Sequence, residues 1–141
     1  MLSTLQGCIN NNENIAGKWE WPTKALPDGS KTTIIYDFHK DGRLTVTSHT
    51  VSEKQHINVE RIATCNYTYR NNTIKYSFSA ENIEFTKYEI EGLSQEEINS
   101  RIEFDKKYSS DLEEILTNVK VEGNKLEANI GKMHITFTRI N

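Results

Sequence analysis

Ile34, Tyr36 and Phe38 fall on one face of an extended segment, and Thr33, Ile35, Asp37 and His39 on the other. Only a β-strand has this period of two. Lys40-Asp41-Gly42-Arg43 follows, an Asp-Gly hairpin signal. The alternation then resumes, with Leu44 and Val46 against Thr45 and Thr47. This unit of strand, tight turn and strand constrains the fold most, because the chain repeats it. The pattern predicts strands over about 16–23, 31–39, 43–51, 57–70, 73–79 and 83–90. Three more short alternating runs follow near the C-terminus: Val119 and Val121, then Leu126, Ala128 and Ile130, then Met133, Ile135, Phe137 and Arg139. Asn71-Asn72, Glu122-Gly123-Asn124 and Gly131 mark the turns between them. The expected fold is mainly β: an antiparallel meander of about eight strands closing into a barrel.

Two strands lack a clean phase. The face of Ile57, Val59, Arg61, Ala63, Cys65, Tyr67 and Tyr69 changes character midway, which predicts a bulge in 57–70. In 83–90 strict alternation puts Ile83 and Phe85 on one face and Tyr88 and Ile90 on the other. Between the sixth strand and the last three, the β pattern breaks. Ser94-Gln95-Glu96-Glu97 is a capping box, flanked by Leu93 and Ile98 as a hydrophobic staple. Ser110-Asp111-Leu112-Glu113 repeats the box pattern, with Leu112, Ile115 and Leu116 as an apolar stripe. A helical insertion near 94–117 is therefore expected, in two pieces, 95–107 and 111–117.

At 141 residues the chain is one domain long and can bury a core without disulfides or metal. Hydrophobic residues make up 35%, and mean hydropathy is −0.67, as expected of strands that each expose one face. Net charge is −3 with no dominant basic patch, which disfavours nucleic acid as a partner. The insertion carries seven acids against three bases and is the expected contact for a protein partner, if one exists. No apolar run is long enough to cross a bilayer.

Leu5-Gln6-Gly7-Cys8 resembles a bacterial lipobox, in which the cysteine is lipidated after signal cleavage. On that reading residues 1–14 are a signal remnant and flexible tether, and 15–141 are the barrel domain. Lipidated Cys8 would anchor the barrel in the bacterial envelope, facing the periplasm. Ile9, where an aspartate would oppose it, implies outer-membrane sorting. The alternative is a chance cysteine in a disordered N-terminus. Spacing gives no indication of a Cys8–Cys65 disulfide, and Cys65 is expected to be a small buried hydrophobe.

Gly17-Lys18-Trp19 opens the first strand. Glycine permits a sharp turn into the sheet, and the tryptophan ring can close one end of a barrel. Such a ring takes a cation over its face, and Arg139 is the candidate. Gly-x-Trp at the start, an Asp-Gly hairpin soon after, and a final Phe137-x-Arg139 resemble the calycin group, above all small bacterial lipocalin-like lipoproteins. The resemblance covers residues 15–141. It implies barrel-closing roles for Gly17, Trp19 and Arg139, and a binding function for a small apolar or amphipathic ligand. Two features depart from lipocalins in the strict sense. The helical segment precedes the last three strands, and the Thr-Asp-x-x-Tyr motif has no counterpart. Inward-phased Trp21, Tyr36, Phe38, Tyr76 and Phe78 are the expected pocket wall; equally, such residues can fill a core. If they do, the expected function is that of a protein-binding envelope lipoprotein: an inhibitor, immunity factor or scaffold.

The sequence carries no recognisable catalytic motif, metal-ligand spacing or cofactor loop. Asp37, His39 and His49 are the one local trio with ligand chemistry, and they read as solvated residues beside a turn. No enzymatic activity, metal or cofactor is expected.

Overall fold

The computed structural model describes residues 12–23 and 25–140. The strands are β1 Gly17–Glu20, β2 Lys31–Phe38, β3 Arg43–Ser52, β4 Ile57–Arg70, β5 Thr73–Ser77 and β6 Ile83–Ile90. Helix α1, Gln95–Ser109, comes next, then β7 Glu113–Glu122, β8 Lys125–Ile130 and β9 Met133–Arg139. All pairings are antiparallel. The order β3-β2-β1-β9-β8-β7-β5-β4 closes on itself through a β3–β4 pairing, so eight strands make a barrel. The hairpin signals mark where the wall turns. Asn71 and Asn72 both take positive φ (51° and 57°), the conformation a two-residue turn requires.

β4 shapes the rest. One edge pairs with β3 along Ile57–Asn66. The other edge is shared: Tyr67–Arg70 pair with β5, and Ile57–Ala63 with β6. β5 therefore belongs to the barrel wall, while β6 runs past it on the extended arm of β3 and β4. α1 carries the chain from the end of β6 back to β7. Its start is the expected capping box: Ser94 Oγ accepts from the Glu97 amide at 3.2 Å, and the Glu97 carboxylate accepts from the Ser94 amide at 3.3 Å. None of its fifteen residues is buried, so the helix is held to the barrel by little apolar packing.

Two expectations about these segments are corrected. The second helical piece, 111–117, is not a helix; residues from Glu113 form β7. Ser110 Oγ donates to the Lys107 carbonyl and so finishes α1 instead of starting a new helix. Asp111 then turns the chain at φ +62°. The β5 edge offers Glu113–Leu116 a strand partner, with Leu116 opposite Ile74. The second correction concerns phase. Ile83, Phe85, Tyr88 and Ile90 all lie on one face of β6, opposite Ala63, Arg61, Val59 and Ile57. The register shift falls between Glu60 and Arg61, and the extra residue is Thr86 of β6, not a residue of β4. It brings Phe85 and Tyr88 into ring contact at 5.5 Å.

The core lies inside the barrel. Trp19, Phe38, Leu44, Ile74, Leu116, Leu126 and Phe137 are all at most 1% exposed. Each such aliphatic or phenyl side chain contributes about 1.5–3 kcal/mol by leaving water, which conformational entropy largely offsets. The expected lipobox with Cys8, and residues 1–11 generally, lie outside the described residues. The last three residues of the expected tether, Asn12–Asn14, form a 3-10 turn, and Ile15 behind it is fully buried.

Candidate functional site

The entry to β1 comes first, because the described chain enters the barrel there. Trp19 is fully buried, and its Nε1 donates to the Ile15 carbonyl at 2.8 Å. In the β1–β9 pairing, Arg139 stands directly opposite Trp19. Its guanidinium carbon lies 4.1 Å from the ring centroid, and Nη1 donates to the Ala16 carbonyl at 2.9 Å. Gly17 has φ +120°, and a Cβ there would sit 2.8 Å from Arg139 Nη1. Glycine is needed for both the backbone angle and the space. These three residues pack together at the entry to β1, and nothing in their geometry offers a ligand a place.

Aromatic rings cluster in the interior. Tyr36 is the centre of an aromatic layer, with ring centroids of Phe137 at 5.2 Å, Trp21 at 5.9 Å, Phe38 at 6.1 Å and Tyr76 at 6.1 Å. The Tyr36 and Tyr76 hydroxyls are 3.0 Å apart and hydrogen-bonded, which ties β2 to β5. Burial pushes both hydroxyls above the ordinary tyrosine range, so both stay protonated at neutral pH. Below the layer, Phe38 packs on Tyr67 at 5.1 Å.

The layer divides the five residues expected to form a pocket wall. Phe38 is 1% exposed and belongs to the closed half. Trp21 packs against Tyr36 and Phe137 and is part of the plug. Tyr36, Tyr76 and Phe78 do line a cavity, a cup of about 330 Å³ at the barrel mouth. Ile34, Val46 and Leu112 add apolar wall, Tyr108 rises from the end of α1, and Ser48, Arg61 and Glu114 add polar groups. Arg61 is the residue that sequence reasoning passed over. It stands on the inward face of 57–69, and its charge is what makes that face appear to change character. Its side chain is only 18% exposed, and its Nε donates to Asp105 Oδ1 of α1 at 3.1 Å.

A larger groove of about 800 Å³ lies at the tip of the extended arm, between Val51, Ile57, Tyr88, Ile90 and Ile98. Its ionisable pair, His56 and Glu91, 3.4 Å apart, is exposed on both sides. The mouth, in contrast, gathers a largely buried guanidinium and two buried hydroxyls among apolar walls, the combination that fixes a ligand's orientation.

The trio of Asp37, His39 and His49 does not assemble. Asp37 is 3.8 Å from His39, but His49 stands opposite Thr33 and is hydrogen-bonded to Asn58 at 2.7 Å. Among the described residues no three His, Cys, Asp or Glu side chains are grouped to hold a metal ion. Burial pushes the Cys65 thiol up to about 11, so it is protonated and a poor nucleophile at neutral pH. No protein-family model matches the chain, and no curated protein matches it either.

Proposed function

We propose that this chain is a lipocalin-like binding protein for a small amphipathic ligand, taken at the mouth of the barrel and not along its axis. The observation that carries the reading is the cup of about 330 Å³, floored by the neutral Tyr36 and Tyr76 hydroxyls and walled by Ile34, Val46 and Phe78. Its volume is at the small end of ligand sites, which run from about 300 Å³ upward. The aromatic cluster around Tyr36 favours a short ligand over a long chain threaded down the barrel. Nile red, an uncharged apolar dye, is expected to brighten on binding the purified protein. Ser48→Trp, which fills the cup from its wall, should abolish the gain and leave far-ultraviolet circular dichroism unchanged. Dye uptake that survives Ser48→Trp would place binding elsewhere, and absence of uptake by the native protein would end the ligand reading.

The proposal includes lipidation of Cys8 and anchorage in a bacterial envelope, on the support of Leu5-Gln6-Gly7-Cys8. Cells making the natural protein in the presence of an alkyne fatty acid should incorporate the tag. Cys8→Ser should abolish the label and release the protein from the membrane fraction. An untagged, soluble native protein would refute the anchor without touching the ligand reading.

One observation favours the second reading, a protein-binding module. Phe104 and Tyr108, 69% and 72% exposed, stack at 6.0 Å on α1. Exposed aromatics at this spacing suit a protein contact.

A further inference from the structure

Resting on that reading, we infer that the ligand is anionic at one end: Arg61 selects a carboxylate head group, and Asp105 of α1 holds its place in the free protein. The inward face of β4 runs Ile57, Val59, Arg61, Ala63, Cys65 and Tyr67, so one guanidinium interrupts an otherwise uncharged row. A charge brought this far out of water is costly unless it is paired. A guanidinium carries five N–H donors in a planar fork suited to two carboxylate oxygens.

Among the described residues, the only hydrogen bond Arg61's side chain makes is from Nε to Asp105 Oδ1. No side-chain nitrogen in the described structure is both buried and unpartnered, so the two Nη groups keep access to solvent, and Arg61 is one of the residues that line the open cup. The pair is therefore half made: Nε is engaged, and the Nη groups of this cup-lining residue are left for a ligand to take.

Asp105 is the partner most readily displaced. It is 44% exposed, and it stands on a helix with no buried residue. An ion pair with one partner this open to water is weak. A ligand carboxylate that engages the free Nη groups gains a bidentate contact that Asp105 does not make. Its apolar tail would lie on Ile34, Val46 and Phe78, with Tyr108 and Leu112 at the rim. Glu114 also lines the cup and opposes an anion. It is exposed on β7, two strands from β4 in the wall, so water and salt screen it.

The test displaces bound Nile red with three probes of equal chain length at neutral pH: octanoate, octanol and octylammonium. Octanoate is expected to bind about tenfold more tightly than octanol, the range of a charge-assisted hydrogen-bond pair, and octylammonium more weakly than either. Arg61→Gln should bring octanoate down to the level of octanol while octanol binding persists, which also reports that the variant is folded. Asp105→Asn, at an exposed helical position, should raise octanoate affinity about threefold by removing the competitor. Equal binding of all three probes to the native protein overturns the role of Arg61 and leaves the mouth reading intact. Preference for octylammonium overturns it too, and assigns selectivity to Glu114 and Asp105. If no probe displaces the dye, the mouth itself is not the site and both readings fall.

Discussion

Trp19→Ala is expected to lower the free energy of unfolding by about 4 kcal/mol, within the range for removing a buried aromatic side chain. The ring is fully buried at the closed end. Burial of a ring of about 150–250 Å² at about 25 cal/mol per Å² sets an upper bound of roughly 4–6 kcal/mol. The other two contributions are smaller. The cation of Arg139 over the ring contributes about 1 kcal/mol at a partly exposed site. The Nε1 bond to the Ile15 carbonyl contributes about 1 kcal/mol net. The order of these magnitudes makes a second comparison possible. Arg139→Gln should cost about 1 kcal/mol, several times less than Trp19→Ala, because the ring keeps its burial. Urea unfolding followed by circular dichroism measures both, provided the slope against urea is unchanged. Equal losses for the two variants would mean that the guanidinium, bonded to Ala16, holds the end shut and the ring only fills it.

The contact of Arg139 with Trp19 is also the part most legible in the sequence, for a physical reason. Gly17, Trp19 and Arg139 are placed by strand parity and by a backbone angle that glycine adopts easily, and both are local properties. The hairpins are legible for the same reason: Asp41-Gly42 and Asn71-Asn72 carry the backbone angles their turns need. Legibility fails where an edge competes with a local signal. Ser110-Asp111-Leu112-Glu113 has the residues of a capping box, yet the unpaired edge of β5 draws Glu113–Leu116 into a strand. Strict alternation splits Ile83 and Phe85 from Tyr88 and Ile90, and one extra residue, Thr86, reunites them. The alternation of β2 and β5 does show that Tyr36 and Tyr76 point inward. It does not show that their hydroxyls meet, since that depends on the bore of the closed barrel. The pairing of Arg61 is hidden likewise: its partner Asp105 is 44 residues away on a helix whose position no local pattern gives.

Phe137→Ala is expected to cost about 3–4 kcal/mol and, unlike Trp19→Ala, to change what the barrel holds. Phe137 is 1% exposed and meets Tyr36 at 5.2 Å and Trp21 at 5.4 Å. Its removal opens a void directly beneath the floor of the cup. Apolar voids of this kind stay dry and accept small apolar molecules. The variant should therefore be less stable in urea yet bind Nile red and octanol more tightly than the native protein, in proportion to the space joined to the cup. Tyr76→Phe separates the two effects. It leaves the ring layer in place but removes the partner of the buried Tyr36 hydroxyl, at a cost of about 1–3 kcal/mol, and it should add no capacity for the dye. If Phe137→Ala loses stability without gaining affinity, the remaining rings have collapsed into the gap. The shallow mouth would then be set by the width of the barrel, not by the residue that plugs it.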